Sequence, residues 1–150
     1  MEILIDNNNV DLNKYFDLIK LELPDELRAL SDIDLLQEIN KSFDPVTDKI
    51  KYLNHEGNIV GWYRYSKWPR NEKNTKTVHA LDIAIKQEYQ GKGFGILLFK
   101  DMIMECKLAG ISKIISRTIK SNQQSYGLHK SIGFKELFVK NDSIVWEIEI

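Results

Sequence analysis

The chain has 150 residues, and 43% of them are hydrophobic. This length supports one hydrophobic core and leaves too little for a second, so we predict a single domain over residues 1–150. No apolar run approaches the about 18 residues of a membrane-spanning helix, and Glu2, Asp6 and Asp11 differ from the basic start of a signal peptide. The one cysteine, Cys106, cannot form an internal disulfide. These features predict a cytoplasmic protein with no membrane partner.

The net charge of −1 conceals an uneven distribution of charge along the chain. Residues 1–60 carry 6 Lys or Arg against 13 Asp or Glu, residues 61–130 carry 13 against 5, and residues 131–150 carry 2 against 4. A basic centre suits an anionic cofactor, whereas a nucleic-acid-binding domain more often has a basic overall balance, so we predict no nucleic-acid partner. The same charges are also compatible with an ordinary solvated surface.

The first third of the chain predicts one strand followed by two helices. Residues 1–5 are apolar enough for a short strand, and a run of asparagines then marks a turn. Apolar residues recur at helical spacing over residues 12–23, and Pro24 ends that helix. Ser31 can cap a second helix, which must stop before Pro45.

The rest of the chain predicts strands and helices in succession. The predicted strands are Lys49–Asn54, Ile59–Ser66, Thr77–Ile85, Lys113–Thr118, residues 134–140 and residues 143–150. The predicted helices are Gly95–Ala109 and one that begins at Ser121 or Asn122 and runs through Ser131. The first two of these strands form a hairpin, and so do the last two. The helix between Thr77–Ile85 and Lys113–Thr118 requires those two strands to be parallel. An α/β fold with a mixed sheet follows.

The stretch Gln90–Gly95, Gln-Gly-Lys-Gly-Phe-Gly, joins a predicted strand to a predicted helix. Glycine permits positive φ and lets a ligand approach bare N–H groups, and those groups begin a helix whose dipole favours anions. The stretch therefore predicts a phosphate-binding turn. A glycine-rich turn without a ligand stays open as an alternative, because short glycine motifs have many false positives.

Spacing excludes two other phosphate-binding turns. A Walker loop needs Ser or Thr directly after Gly-Lys, but here Lys92 is followed by Gly93. A dinucleotide fingerprint needs a third glycine where this chain has Ile96, and an acidic residue about 20 residues further on, where residues 114–116 are Ile, Ile and Ser.

The remaining pattern, Gln90 with Gly93 and Gly95, resembles the pyrophosphate-binding motif of the GNAT family of acetyl-CoA-dependent N-acetyltransferases. A second stretch, Asn122-x-x-Ser125-x-x-Leu128-His129-x-x-x-Gly133-Phe134, is similar to the family's Asn-x-x-Ala-x-x-Leu-Tyr-x-x-x-Gly-Phe. The two motifs stand in the family's order, which is more specific than either motif alone. The resemblance implies the GNAT fold, a mixed central sheet of about six to seven strands flanked by about four helices.

The resemblance also implies which residues contact acetyl-CoA, the co-substrate. Backbone N–H groups of Gln90–Gly95 would bind the pyrophosphate, and the main chain of Ile83–Ile85 would pair with the pantetheine arm as an added strand. Asn122 would bond near the pantetheine end, although it equally fits an N-cap of its own helix. The predicted cofactor contacts are Ile83, Ala84, Ile85, Gln90, Gly91, Lys92, Gly93, Phe94, Gly95, Asn122 and Ser125. No metal is predicted, since no His/Cys/Asp cluster has ligand spacing.

Acetyl transfer to an amine needs a base for the amine and an acid for the departing thiolate. In the family a tyrosine acts as this acid, and at its position this chain has His129. Tyr126, one helical turn earlier, is the alternative acid. A third alternative is that neither residue acts. For the base, the candidate is His79, at a position where some family members similarly carry a glutamate. Strict alternation along the strand places His79 on the same face as Ile83 and puts Asp82 on the opposite face.

These inferences predict an N-acetyltransferase that moves the acetyl group from acetyl-CoA to a primary amine, on a small molecule or a peptide, by direct transfer. The acidic N-terminal third suggests a cationic acceptor. A catalytically weak acyl-CoA-binding sensor or scaffold is the alternative function, because His129 replaces the tyrosine. The resemblance also allows a homodimer, since many GNAT proteins pair through their C-terminal strands.

Overall fold

A computed structural model of the chain describes residues 2–6 and 48–150. In chain order the elements are β1 (Glu2–Asp6), β2 (Asp48–His55), β3 (Asn58–Lys67), β4 (Thr77–Ile85), a 3₁₀ turn (Gln87–Tyr89), α1 (Phe94–Leu108), β5 (Lys113–Ile119), α2 (Gln123–Ile132), β6 (Lys135–Lys140) and β7 (Ser143–Glu149). The two helices predicted within residues 12–45 lie outside the described residues. Neither α-helix of the described ranges has the length and apolar character needed to cross a membrane.

The strands form one sheet of seven in the order β1-β2-β3-β4-β5-β7-β6. All neighbours are antiparallel except β4 and β5, which are parallel because α1 carries the chain from one to the other. The predicted α/β fold with a mixed sheet of six to seven strands is confirmed. The predicted parallel pairing of β4 with β5 is confirmed as well.

The parallel ladder between β4 and β5 is short and leaves a notch in the sheet. It runs from the pair Thr77 and Lys113 to the pair Ala80 and Ser116, after which the two strands separate. On its other edge β4 stays paired with β3 as far as Ile85. The second half of β4 therefore has one bonded edge and one edge that faces the notch.

Both α-helices pack on the same face of the sheet. The buried side chains of α1 recur at spacings of three and four, as an amphipathic helix requires, and they are Phe94, Leu98, Phe99, Met102 and Cys106. They meet strand residues such as Ile114 and Trp146 in the core, and α2 covers the same cluster with Tyr126, Leu128 and Ile132. Burial raises the pKa of the Cys106 thiol to about 12, so this thiol is protonated at neutral pH.

An ion cluster fixes α1 against the sheet and so helps to position the turn that precedes it. Lys51 of β2 pairs with Asp101 at 3.1 Å and also with Glu105, both on α1. The hydroxyl of Tyr63 donates to Asp101 at 2.7 Å. These groups are mostly buried, and the ammonium of Lys51 is shared by the two carboxylates of α1.

A β-bulge in β4 reverses the predicted alternation of its side chains. The ladder between β3 and β4 skips Leu81, which leaves one extra residue in β4. Val78 and Ile83 consequently both belong to the core beneath the helices. His79 lies on the opposite face together with Asp82. The expectation that His79 shares a face with Ile83 was therefore wrong, because strict alternation does not survive an inserted residue.

Candidate active site

A cleft of about 370 Å³ lies on the helix side of the notch, between the end of β4, the start of α1 and the start of α2. Most of the predicted site residues line it: Ile83, Ala84, Ile85, Gln90, Gly91, Gly93, Phe94, Gly95, Asn122, Ser125 and His129. Three predicted residues lie elsewhere. Lys92 is exposed, with its ammonium 5.6 Å from the centre of the Tyr89 ring, and Tyr126 and His79 occupy the positions described below.

The turn Gln90–Gly95 lines this cleft with five of its six residues. Gly91 has φ of 75° and Gly93 has φ of 87°, values that side-chain-bearing residues rarely adopt. Gly93 is the N-cap of α1 and offers no side chain to accept from the first helical turn. The N–H groups of that turn have no intrahelical acceptor, so the positive end of the helix faces the cleft uncapped.

Gly95 has a different role, which is to let the two helices approach each other. A Cβ atom at this position would lie 3.2 Å from the nearest methyl carbon of Leu128 on α2. That is closer than most side-chain contacts, so a larger residue would push α2 away. The third glycine of the motif thus controls the width of the cleft through helix packing.

The side chain of Gln90 ties the turn to β4. Its amide nitrogen donates to the carbonyl of Ile85 at 2.9 Å. The resemblance implied only a backbone contact between Gln90 and pyrophosphate. The observed bond instead holds the glycine turn at a fixed distance from the free edge of β4.

Asn122 is the N-cap of α2. Its side-chain oxygen accepts from the N–H of Ser125 at 3.0 Å. The cap uses only the oxygen, so the amide nitrogen keeps two N–H groups for other partners. A capping role and a contact with a ligand in the cleft are therefore compatible.

His129 reaches the cleft from a buried position, with 4% of its surface exposed. Its ring stacks on Trp146 at 5.3 Å between centroids and meets Phe99 and Phe134 at 5.0 Å each. Burial is the main cause that lowers the pKa of His129, and the bond to the Ser125 carbonyl opposes it in part. The ring is therefore neutral at pH 7.

Both ring nitrogens of His129 have partners. Nδ1 lies 2.7 Å from the backbone oxygen of Ser125, and Nε2 lies 2.7 Å from Oγ of Ser116. A carbonyl oxygen can only accept, so Nδ1 carries the proton, and the hydroxyl of Ser116 donates to Nε2. Acting as an acid would require a proton on Nε2 and a change in the bond to Ser116. The acid role of His129 stays a prediction.

We expect the buried neutral ring of His129 to make the stability of the protein depend on pH. Because the folded pKa lies below the ordinary value of 6.5, the unfolded chain binds a proton that the folded ring excludes, and the free energy of unfolding falls as pH drops through 6.5. Urea unfolding of the wild type and of His129→Gln at pH 7.5 and pH 5.5 measures this. The variant should lose less stability on acidification, although some dependence remains because the pKa of His79 is lowered too. An equal loss in both proteins would contradict the assignment.

Tyr126 lies one turn before His129 on α2 but packs away from the cleft. Its ring meets Trp146 edge-on at 5.2 Å between centroids. The ammonium of Lys130 lies 5.8 Å from the ring centre. The side chain belongs to the border of the core, and its role as an alternative acid stays a prediction.

His79 faces a second cavity, of about 400 Å³, which opens where the ladder between β4 and β5 ends. The ring of Trp68 meets His79 edge-on at 5.8 Å between centroids. Burial lowers the pKa of His79 first, and the positive charges of Arg117 and Arg70 lower it further, against a smaller opposing effect of Asp82. A half-buried neutral imidazole of this kind can accept a proton at neutral pH.

Two residues that the sequence reasoning did not single out take part in these sites. Ser116 bonds to His129, and Arg117 lines the second cavity next to His79. A signal was present for Ser116, because inward positions of β5 alternate as Ile114, Ser116 and Thr118, and a polar residue on a buried strand face needs a partner. No comparable signal marked Arg117.

Solved structures of other proteins have a similar fold. The ribosomal-protein-S18-alanine N-acetyltransferase of Escherichia coli superposes with a TM-score of 0.78 at 17% identity, covering 100% of this chain and 94% of that one. The PaiA N-acetyltransferase of Thermoplasma acidophilum, in complex with coenzyme A, superposes with a TM-score of 0.77 at 15% identity, covering 100% of this chain and 99% of that one. A chimera built on the spermidine N-acetyltransferase of Vibrio cholerae superposes with a TM-score of 0.76 at 20% identity, covering 99% of this chain and 95% of that one.

Sequence comparison reaches the family level. No curated protein matches the chain significantly. A family model described as acetyltransferase (GNAT) family matches residues 13–134. This range contains both motifs, the notch between β4 and β5, and most of the residues that line the two cavities. The chain therefore belongs to the GNAT family of acetyltransferases.

Proposed function

We propose that this protein is an N-acetyltransferase that moves the acetyl group of acetyl-CoA directly to a primary amine. One observation carries the proposal: the glycine turn, the free edge of β4 and the start of α2 line a single cleft. The residues of two motifs that are far apart in sequence thus meet around a space that could hold one extended ligand. A similar fold is seen in complex with coenzyme A.

The described residues fit each part of the co-substrate. The uncapped N–H groups after Gly93 suit a pyrophosphate, since helix N-termini favour anions. The edge of Ile83–Ile85 that faces the notch suits the amide groups of a pantetheine arm, which would add to β4 as a strand does. The thioester would then lie near the separation of β4 and β5, between the two cavities. Acetyl-CoA supplies the activated acetyl group, and the chain supplies binding and proton transfer.

In the proposed reaction a neutral amine attacks the thioester carbonyl carbon, the C–N bond forms and the C–S bond breaks. The proton lost by the ammonium goes to His79, directly or through water, and the departing thiolate takes a proton from an acid. The nitrogen releases its second proton as the tetrahedral intermediate collapses to the amide, and this proton restores the acid through solvent. His129 is the proposed acid and Tyr126 the alternative. The ring of His129 is neutral and both of its nitrogens are hydrogen-bonded, which is the main argument against His129 as the acid.

The positions of His129 and Tyr126 favour a second candidate function. If neither His129 nor Tyr126 delivers a proton, the domain would bind acyl-CoA and turn it over poorly, as a sensor or scaffold. The packing of Tyr126 against Trp146 supports this alternative, because its ring is directed into the core border rather than into the cleft.

A thiol-release assay with acetyl-CoA and a panel of amines tests the proposal. The panel contains amino acids, their amides, polyamines and peptides with free amino termini. We expect thiol release that depends on an amine, with the N-acetylated product seen by mass spectrometry. Coenzyme A binding without release for any amine would support the sensor instead. Absence of coenzyme A binding would contradict both functions.

A further inference from the structure

The second cavity places the positive charge of Arg117 near His79. It lies at the notch, on the face of the sheet opposite the helices, and His79, Leu81, Arg117 and Asp142 are among its lining residues. The side chain of Arg117 is on the same face of the sheet as His79, because His79 pairs with Ile115 and Arg117 follows two residues later in β5. Any molecule that reaches His79 from this side therefore meets the guanidinium of Arg117.

The neighbouring cations on this face already have carboxylate partners. Arg64 lies 2.9 Å from Asp82 and 3.9 Å from Asp48. Arg70 lies 3.5 Å from Asp48. These two arginines are thus paired with two carboxylates, so the net charge of the four side chains is close to zero.

Arg117 differs from these arginines. Within residues 48–150 no carboxylate lies within 4 Å of its guanidinium. Lys113, on the same face of β5 four residues earlier, is matched by Glu147 at 3.4 Å. Among residues 48–150, Arg117 is thus a strand cation that faces a cavity without a carboxylate partner. Its charge also contributes to the lowered pKa of His79.

We propose that Arg117 binds the carboxylate of the acceptor, so that the protein acetylates amines that also carry a carboxylate, such as amino acids. The inference rests on the proposed acetyl transfer and names its substrate class. A guanidinium and a carboxylate form two parallel charge-assisted hydrogen bonds, which fix orientation as well as position. An acceptor held in this way at β5 directs its amino group across the notch toward β4, where His79 lies.

The charge of Asp142 narrows the class further. This carboxylate lines the same cavity. It would repel a second acidic group, so the cavity suits an acceptor with one carboxylate rather than a dicarboxylate. A polyamine would place a cationic group against Arg117, which opposes binding. The acidic residues that suggested a cationic acceptor lie outside the described residues.

Calorimetric titration of the protein saturated with coenzyme A tests this substrate class. Each common amino acid is compared with its own amide, which keeps the amine and side chain and removes only the negative charge, and spermidine is included as the cationic probe. We expect the amino acid that binds most tightly to lose about tenfold or more in affinity as its amide, as for the loss of a charge-assisted hydrogen bond. Equal binding of acid and amide, no binding by any amino acid, or tighter binding of spermidine would overturn the proposal.

Two variants assign the preference to one side chain. Arg117→Gln should abolish the difference between acid and amide, and Arg117→Lys should retain part of it because the charge stays while the paired geometry is lost. Lys113→Gln is the matched control, since it removes a cation from the same face of the same strand outside the cavity, and it should keep the full difference. A preference that survives Arg117→Gln would overturn the role of Arg117.

Thiol release measured with the same pairs separates this inference from the proposed function. A binding preference that depends on Arg117 without thiol release would support the carboxylate site and contradict acetyl transfer. Thiol release with equal catalytic efficiency for acids and amides would support acetyl transfer and contradict the carboxylate site.

Discussion

Replacing Gly93 with valine is expected to weaken coenzyme A binding by about 100-fold or more, the effect of losing two charge-assisted hydrogen bonds. Gly93 has φ of 87°, which a β-branched residue resists, so the turn must rearrange. A Cβ atom placed on the present backbone has no neighbour within 4 Å, which means that it projects into open space. In the proposed complex that space lies in front of the N–H groups that bind pyrophosphate. Calorimetric titration with coenzyme A measures the effect.

Gly110→Val is the matched control for this change. Gly110 follows the other end of α1, has φ of 79° and also has open space where its Cβ would lie. Both variants should lose about 1–2 kcal/mol of stability from the left-handed backbone conformation. Only Gly93→Val should lose coenzyme A affinity. Unchanged affinity in folded Gly93→Val, or an equal loss in Gly110→Val, would remove the pyrophosphate assignment.

Replacing His79 with glutamine is expected to lower kcat/KM for the acceptor by about 100-fold or more, the usual effect of removing a general base. The affinity for coenzyme A should stay unchanged, because His79 lines the second cavity and not the cleft. The pKa of His79 lies below its ordinary value of 6.5, so the wild-type kcat/KM should fall only as pH drops below that value. The variant should lack this acidic limb. A variant with wild-type kcat/KM and the same limb would exclude His79 as the base.

His129→Gln and Tyr126→Phe, assayed beside His79→Gln, separate the roles of the three residues. If His129 is the acid, His129→Gln lowers kcat more than it weakens acetyl-CoA binding, since a leaving-group acid acts in the transition state. If His129 only holds the cleft together through Ser116, the variant loses stability and keeps most of its kcat. A large loss of kcat in Tyr126→Phe alone would assign the acid to Tyr126.

The glycine turn at the start of α1 and the ends of α2 could be predicted from the sequence because both depend on local features. The spacing of Gln90, Gly93 and Gly95 specifies a backbone conformation within a few residues, and the positive φ of Gly93 agrees with it. Asn122 and Gly133 mark the ends of α2 by capping chemistry that is equally local. The parallel pairing of β4 and β5 followed from the helix between them.

Only the tertiary structure decided which side chains face each cavity and which charges are matched. The bulge at Leu81 moves His79 to the face opposite the cleft, because one inserted residue reverses every later position, and its presence depends on how β4 pairs with β3. Ser116 is hydrogen-bonded to Nε2 of His129, 13 residues away in sequence, because β5 and α2 meet in the core. Whether Arg117 has a partner depends on which strands lie beside β5. Local sequence patterns determine backbone conformation and helix ends, whereas partners across a sheet depend on register and strand order, which are properties of the whole fold.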